Sequence, residues 1–256
     1  MKTVKIVAVI LAWIIALSAW VISVGFSEKK QKEIVCKRVS VELDNDNFFL
    51  EKEDVLNLIG GKNAGFIGEP VHLISIKEIE QKLKWNPYIK KADVYAGVDG
   101  ELTINVVQKL PLVRFINISG EHFYVDAQGL KIPLSSNFTP NVLVVHGKIA
   151  ESSDFRSKLK FPISQDLLLL AKFISNDDFW NAQIEEVVVK ENSDFELIPR
   201  VGSHKILLGD ISNLDQKFTK LLVFYKQGLN KVGWEKYSII NLKYSNQIVC
   251  TKRDSI

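Results

Sequence analysis

Cysteine is nearly absent from this chain: Cys36 and Cys250 are its two thiols in 256 residues. A dense disulfide framework is excluded as the source of its stability. The four histidines, His72, His122, His146 and His204, are scattered. None has the paired spacing of a zinc helix or finger. Glycine (14) and proline (7) are too few for collagen-like or low-complexity sequence. Neither charge sign dominates, with 33 basic against 30 acidic residues, so there is no electrostatic case for nucleic-acid binding. No Gly-x-Ser-x-Gly elbow occurs, and GGKNAG at 60–65 lacks the residue order of a phosphate loop. DNDN at 44–47 starts like a calcium loop, but Phe48 and Phe49 stand where an oxygen ligand and a glycine are needed. The neighbours Asp177-Asp178 and Glu185-Glu186 point apart on a helix or strand and are expected to be solvated. No catalytic, cofactor-binding or metal-binding residue is assigned, no small-molecule substrate is implied, and no enzymatic activity is expected.

What is present is one long apolar run. Ile6 to Ser27 carries no charge over 22 residues, about 33 Å as a helix and enough to cross a bilayer core. A cleaved signal peptide is the competing reading, with Ala16-Leu17-Ser18 as a loose cleavage site. The run continues past that site through Trp20, Val21, Ile22, Val24 and Phe26, which favours a retained transmembrane helix over 6–27. A stub, 1–5, precedes it and a polar linker, 28–33, follows. Orientation stays open. Lys29, Lys30, Lys32, Lys37 and Arg38 outnumber Lys2 and Lys5, which by the positive-inside rule places the C-terminal part in the cytoplasm. A short stub before a long folded part is instead the layout of a signal anchor. Beyond residue 27 the balance is 31 basic to 30 acidic residues, so the remainder is close to neutral.

Residues 34–108 read as β-α-α-β-β. Val35, Val39, Val41 and Leu43 sit mostly at alternate positions of a strand. Val55, Leu56 and Ile59 have helical spacing, stopped by Gly60-Gly61. Ser75 and Glu78 form a capping-box pattern before a second helix striped by Ile76, Ile79 and Leu83. Two strands follow Asn86-Pro87, separated by Val98-Asp99-Gly100. A three-stranded sheet with both helices on one face would bury both apolar stripes.

Residues 109–250 read as an α+β unit dominated by antiparallel sheet. Strands are expected at 112–118, 122–125, 131–134, 142–146, 184–190, 195–199, 205–208, 239–242 and 247–249. Helices are expected from Ser164 and Asp166, and from a second capping box at Ser212 and Asp215. Residues 251–256 are expected to be a tail. An open sheet leaves an edge with unpaired amides and carbonyls, which can accept a partner's strand. Ser238 to Val249 ends the unit and is the natural edge.

The order of segments and three phrases resemble a known family. The β-α-α-β-β unit is similar to a POTRA domain. WNPYIKKADV at 85–94, LTINVVQKLPLV at 102–113 and YVDAQG at 124–129 resemble the phrases that link this domain to the next in the FtsQ/DivIB bacterial cell-division proteins. Leu50 departs from the family, standing where a capping Ser or Thr is expected. The resemblance implies a non-enzymatic scaffold of the divisome, anchored in the cytoplasmic membrane. Its two domains would lie in the periplasm, and it would gather at the septum. It implies FtsB-like and FtsL-like single-span partners bound through the C-terminal sheet edge. Leu242-Lys243-Tyr244 resembles the family's Leu-(Arg/Lys)-Tyr there, which points to Tyr244, Gln247, Ile248 and Val249 as contacts. The plainer alternative is that Tyr244 and Ile248 pack on their own sheet. A POTRA-bearing chaperone or secretion adaptor for extended polypeptides is the alternative function, and a membrane-anchored enzyme a third. Cys36 and Cys250, in different units, are expected to be separate thiols.

Overall fold

The computed structural model describes residues 13–18, 20, 34–44, 49–61 and 65–253. Asn45–Phe48 and Lys62–Ala64, parts of the calcium-like and glycine-containing segments, lie outside them, as does most of the apolar run. Trp13–Ser18 and Trp20 are helical and exposed. No helix among the described residues is long and apolar enough to cross a membrane. The chain divides into two units, Met1–Gln108 and Lys109–Ile256.

Unit 1 is a three-stranded sheet, β1 (Arg38–Leu43), β2 (Ile89–Ala96) and β3 (Glu101–Gln108), ordered β1-β3-β2. β1 runs parallel to β3, and β2 antiparallel. Helices α1 (Lys52–Ile59) and α2 (Ile76–Lys84) supply Val55, Ile59, Ile79 and Leu83 to a core that includes Val41, Ala92, Val94, Leu102, Ile104 and Val106. Alternate strand residues reach that core because side chains alternate across a sheet. The missing Ser or Thr before α1 is replaced in two ways. Glu51 forms a capping box with Asp54, its amide donating to Asp54 Oδ2 at 2.8 Å. Gln108 holds Leu50 by both its amide and its carbonyl. The expected cap of α2 does not form: Ser75 is the N-cap residue but makes no side-chain cap bond. Gly100, in the turn between β2 and β3, has φ of 86° and lies so close to the first segment that a Cβ would meet Val35 O at 2.3 Å.

Unit 2 is a nine-stranded sheet ordered β12-β11-β10-β9-β8-β7-β4-β5-β6. The strands are β4 (Pro111–Ile116), β5 (His122–Asp126), β6 (Lys131–Ile132), β7 (Leu143–Gly147), β8 (Ile184–Val189), β9 (Phe195–Pro199), β10 (Lys205–Gly209), β11 (Tyr237–Asn241) and β12 (Val249–Lys252). Five of its eight strand pairs are antiparallel; β4–β7, β7–β8 and β10–β11 are parallel. The inward row, including Phe115, Val145, Val187, Leu197, Ile206 and Ile240, forms one core with helices α3 (Pro162–Ser175), α4 (Asp178–Gln183) and α5 (Leu214–Phe224). Trp180 joins the helices, its ring 4.9 Å from Phe218 and 5.9 Å from Tyr225.

Helix starts differ from the sequence expectation. α3 opens on Phe161 with Pro162 at its first position, not at Ser164. The Ser212–Asp215 box is not formed: α5 starts after Asn213, and Ser212 donates its hydroxyl to Asp210. α4 was not anticipated. Asp177, expected to be a solvated charge, caps it by accepting from the Phe179 and Trp180 amides at 2.9 and 3.1 Å.

Candidate functional site

The two ends of the nine-stranded sheet are built differently. At the β6 end, residues 157–159 cross the backbone. Lys131 donates its amide to Ser157 O, Leu159 donates to Gly129 O, and Leu130 bridges Lys158. That end is closed. At the other end β12 pairs with β11 and has no second neighbour among the described residues.

The geometry of β12 shows which groups are available. Arg253 donates its amide to Lys236 O at 3.0 Å, and the register irregularity falls in β11, between Tyr237 and Ile239. Amides alternate along a strand, so those of Cys250 and Lys252 point away from β11, while those of Val249 and Thr251 point toward it. Side chains alternate as well. Cys250 lies opposite Ile240 and packs against the core, whereas Val249 and Thr251 are exposed. Burial pushes the Cys250 thiol pKa up, which favours the protonated thiol over the thiolate. Both cysteines are free thiols, Cys36 inside unit 1 and Cys250 on this edge.

The four residues singled out from the sequence divide three ways. Val249 opens the edge strand. Ile248, just before it, is partly buried against the core. Tyr244 and Gln247 stand exposed in the connection between β11 and β12. That connection is longer than expected, since β11 ends at Asn241 and β12 begins at Val249; at its start Leu242 is fully buried and donates its amide to Leu207 O. Lys220 of α5 then holds the carbonyls of Tyr244 and Ser245 at 2.6 and 3.0 Å. Lys243 pairs with Asp194 at 2.6 Å, a contact that raises the lysine's pKa and lowers the carboxyl's. The connection is therefore tied down on both sides. Between it and α5 lies an open groove of about 530 Å³, lined by Val223, Phe224, Gln227, Gly228, Gln247 and Ile248 among others.

Two features escaped the sequence reading. The strand runs on through Cys250, Thr251 and Lys252, into what was expected to be tail. The run Val249-Cys250-Thr251 was the available signal, since β-branched residues favour strands, but the charges that follow masked it. The groove wall from α5 carried no local signal, because Val223 and Phe224 meet Gln247 and Ile248 only through the fold, more than 20 positions away in the chain. Among the described residues no group of three His, Cys, Asp or Glu side chains is placed to hold a metal ion.

Comparison with known proteins accords with this architecture. A POTRA-like domain model matches residues 34–107. The cell division protein FtsQ of Rhodothermus marinus is 26% identical over 176 residues, which is 67% of this chain and 63% of that protein. The match thus spans a little under two thirds of that relative's length. The family model described as "FtsQ/DivIB, C-terminal related" matches residues 110–251, more than half of the chain and the sheet from β4 through Thr251 of β12; this chain belongs to the FtsQ/DivIB family.

Proposed function

We propose that this protein is a non-enzymatic scaffold of the bacterial division machinery, held in the cytoplasmic membrane by residues 6–27. Residues 34–108 form a POTRA domain and 109–250 a β domain, both outside that membrane. β12 accepts an extended segment of an FtsB-like or FtsL-like single-span partner as a tenth strand. The supporting observation is the asymmetry of the sheet: one end is closed by residues 157–159, and at the other the outer edge of β12 has no neighbour among the described residues. Main-chain bonds to Cys250 and Lys252 provide affinity, and the groove beside Ile248 and Phe224 receives side chains of the added strand. Tyr244, Gln247 and Val249 flank that strand as contacts, while Ile248 acts mainly by shaping the groove floor.

Photocrosslinking in cells from Tyr244 and Val249 is expected to recover a single-span division protein and to label the septum. A partner embedded as a β-barrel would instead favour a secretion adaptor. Lys252→Pro removes an outward amide without touching the β11 ladder, a substitution an edge strand tolerates. It should abolish partner recovery while Lys252→Ala retains it. Unchanged recovery from the proline variant would refute strand addition.

A further inference from the structure

Unit 1 carries an apolar rim that its core does not use. The segment Ile34–Lys37 is flanked on one side by residues 66–71: the Cys36 amide donates to Glu69 O, the Gly68 amide to Cys36 O and the Val71 amide to Ile34 O, at 2.9, 2.7 and 2.9 Å. On the other side is the β2–β3 turn, where Lys37 donates its amide to Gly100 O at 2.7 Å. These flanks and the short turn Val71–Leu73 hold large exposed apolar side chains: Val98 is 87% exposed, Leu73 67% and Ile67 52%. An open groove of about 820 Å³ lies here, lined by Ile34, Val71, His72, Lys77, Tyr95 and Val98 among others. Lys77 lines it; Lys37, Arg38 and Glu69 are exposed on the flanking segments, and Arg38 pairs with Asp99 and Glu101 of the β2–β3 hairpin.

The chain itself says what lies opposite this rim. The apolar run Ile6–Ser27 ends seven positions before Ile34. Seven steps of fully extended chain reach about 25 Å. Given the reading of that run as a membrane span, Ile34 and the segments bonded to it are held within that distance of the bilayer. A tethered surface meets its target at high effective concentration, which a freely diffusing protein does not match.

We propose that Ile67, Leu73 and Val98 dock unit 1 onto the lipid–water interface of the bilayer that holds Ile6–Ser27. Apolar side chains enter the boundary between headgroups and acyl chains, while the lysine stems of Lys37 and Lys77 lie along it. Because Glu69, Asp99 and Glu101 match Lys37, Arg38 and Lys77 in number, apolar contact rather than headgroup charge holds the unit, and the contact fixes the tilt of unit 1 on the membrane. The inference rests on the membrane-span reading, and the experiment separates the two.

The full chain, with Cys36→Ala and Cys250→Ser, is reconstituted in nanodiscs of phosphatidylethanolamine and phosphatidylglycerol. Single spin labels are placed at Trp13, Leu73, Val98 and Lys84, and their relaxation by oxygen is compared with that by a water-soluble nickel chelate. Oxygen should dominate at Trp13, Leu73 and Val98, and the chelate at Lys84, about 12 Å along α2 from Ile76. Val98→Glu should move the Leu73 label into the chelate-dominated regime. Replacing phosphatidylglycerol by phosphatidylcholine should leave the Leu73 and Val98 values unchanged, and a strong loss would overturn the apolar mechanism. Chelate dominance at Leu73 and Val98 with oxygen dominance at Trp13 would overturn the docking and leave the span intact. Chelate dominance at Trp13 would overturn the span, and the docking with it.

Discussion

Glu151 and Lys131 form an ion pair in which both side chains are fully buried, with Nζ 2.6 Å from Oε1. The other carboxylate oxygen accepts the amides of Lys160 and Phe161 at 2.9 and 3.2 Å, just before α3. Glu151→Ala leaves a buried ammonium with no counter-ion and two amides with no acceptor. Breaking a buried pair from one side costs about 3–5 kcal/mol, and each orphaned amide adds about 1 kcal/mol where water cannot reach it. The sum is comparable with the whole stability of an ordinary domain, about 5–15 kcal/mol, so this variant should be close to unfolded. Glu151→Gln keeps an acceptor for the amides and should lose about 3 kcal/mol. Adding Lys131→Met removes the stranded charge, so the double variant should be more stable than Glu151→Gln alone. The assay is urea unfolding of the full chain in detergent, followed by hydrogen exchange of β4 and β5 amides. Glu151→Gln within 1 kcal/mol of the parent, or a double variant weaker than the single, would refute the reasoning. The pH dependence has a definite sign. Burial pushes the Glu151 carboxyl up, but Lys131 and the two amides outweigh it and hold the group below its ordinary 4.5. A depressed carboxyl stabilises the fold above its unfolded pKa and loses that contribution as pH falls through the folded one. Glu151→Gln should therefore flatten the acid limb of the stability profile below about pH 4.5.

Three further outcomes follow from single residues. Asp177→Ala removes the cap of α4 and should cost about 1 kcal/mol, read as a lower urea midpoint with unchanged slope. Gly147→Ala should be far more damaging, because φ is 103° and the new Cβ would meet Val189 O at 2.3 Å on the neighbouring strand; expression with native-like circular dichroism would sink this expectation. His204 is buried, with Nε2 2.8 Å from the Tyr225 hydroxyl. Burial lowers its pKa from the ordinary 6.5, and it raises that of Tyr225 well above 10. A histidine kept neutral stabilises the fold above its unfolded pKa and destabilises it progressively as pH falls below. Unit 2 should lose stability below about pH 6.5, and His204→Gln should remove that component from the pH profile.

The order of elements was legible in the sequence because hydrophobic periodicity is a local signal. The stripes Val55–Ile59 and Ile79–Leu83, and the alternation at 102–106, needed only their own neighbours to declare themselves. Helix starts were less legible, because a capping pattern is an offer that the backbone can decline. Ser75 and Ser212 carry the pattern without capping, while Asp177, which lacked the pattern, does cap. The four residues proposed as partner contacts fall in one stretch of sequence but not on one element of the fold. Gln247, expected in the last strand, lies with Tyr244 in the connection, where Leu242 is drawn into the core and Lys220 holds the carbonyls of Tyr244 and Ser245, contacts that bring together residues more than 20 positions apart.

What the sequence determined alone was the class of protein: one long apolar run, a β-α-α-β-β unit, a β-rich unit, and no clustered chemistry for catalysis. Each follows from composition, spacing or local pattern. The sequence offered the C-terminal segment as an edge; only the tertiary structure showed that the opposite end of the nine-stranded sheet is closed. Strand order depends on burial and hydrogen bonding between segments far apart in the chain, and the 157–159 segment closes β6 while no described segment reaches β12. The same holds for Lys131 and Glu151, which the sequence shows as two surface-type charges and the fold buries as a pair.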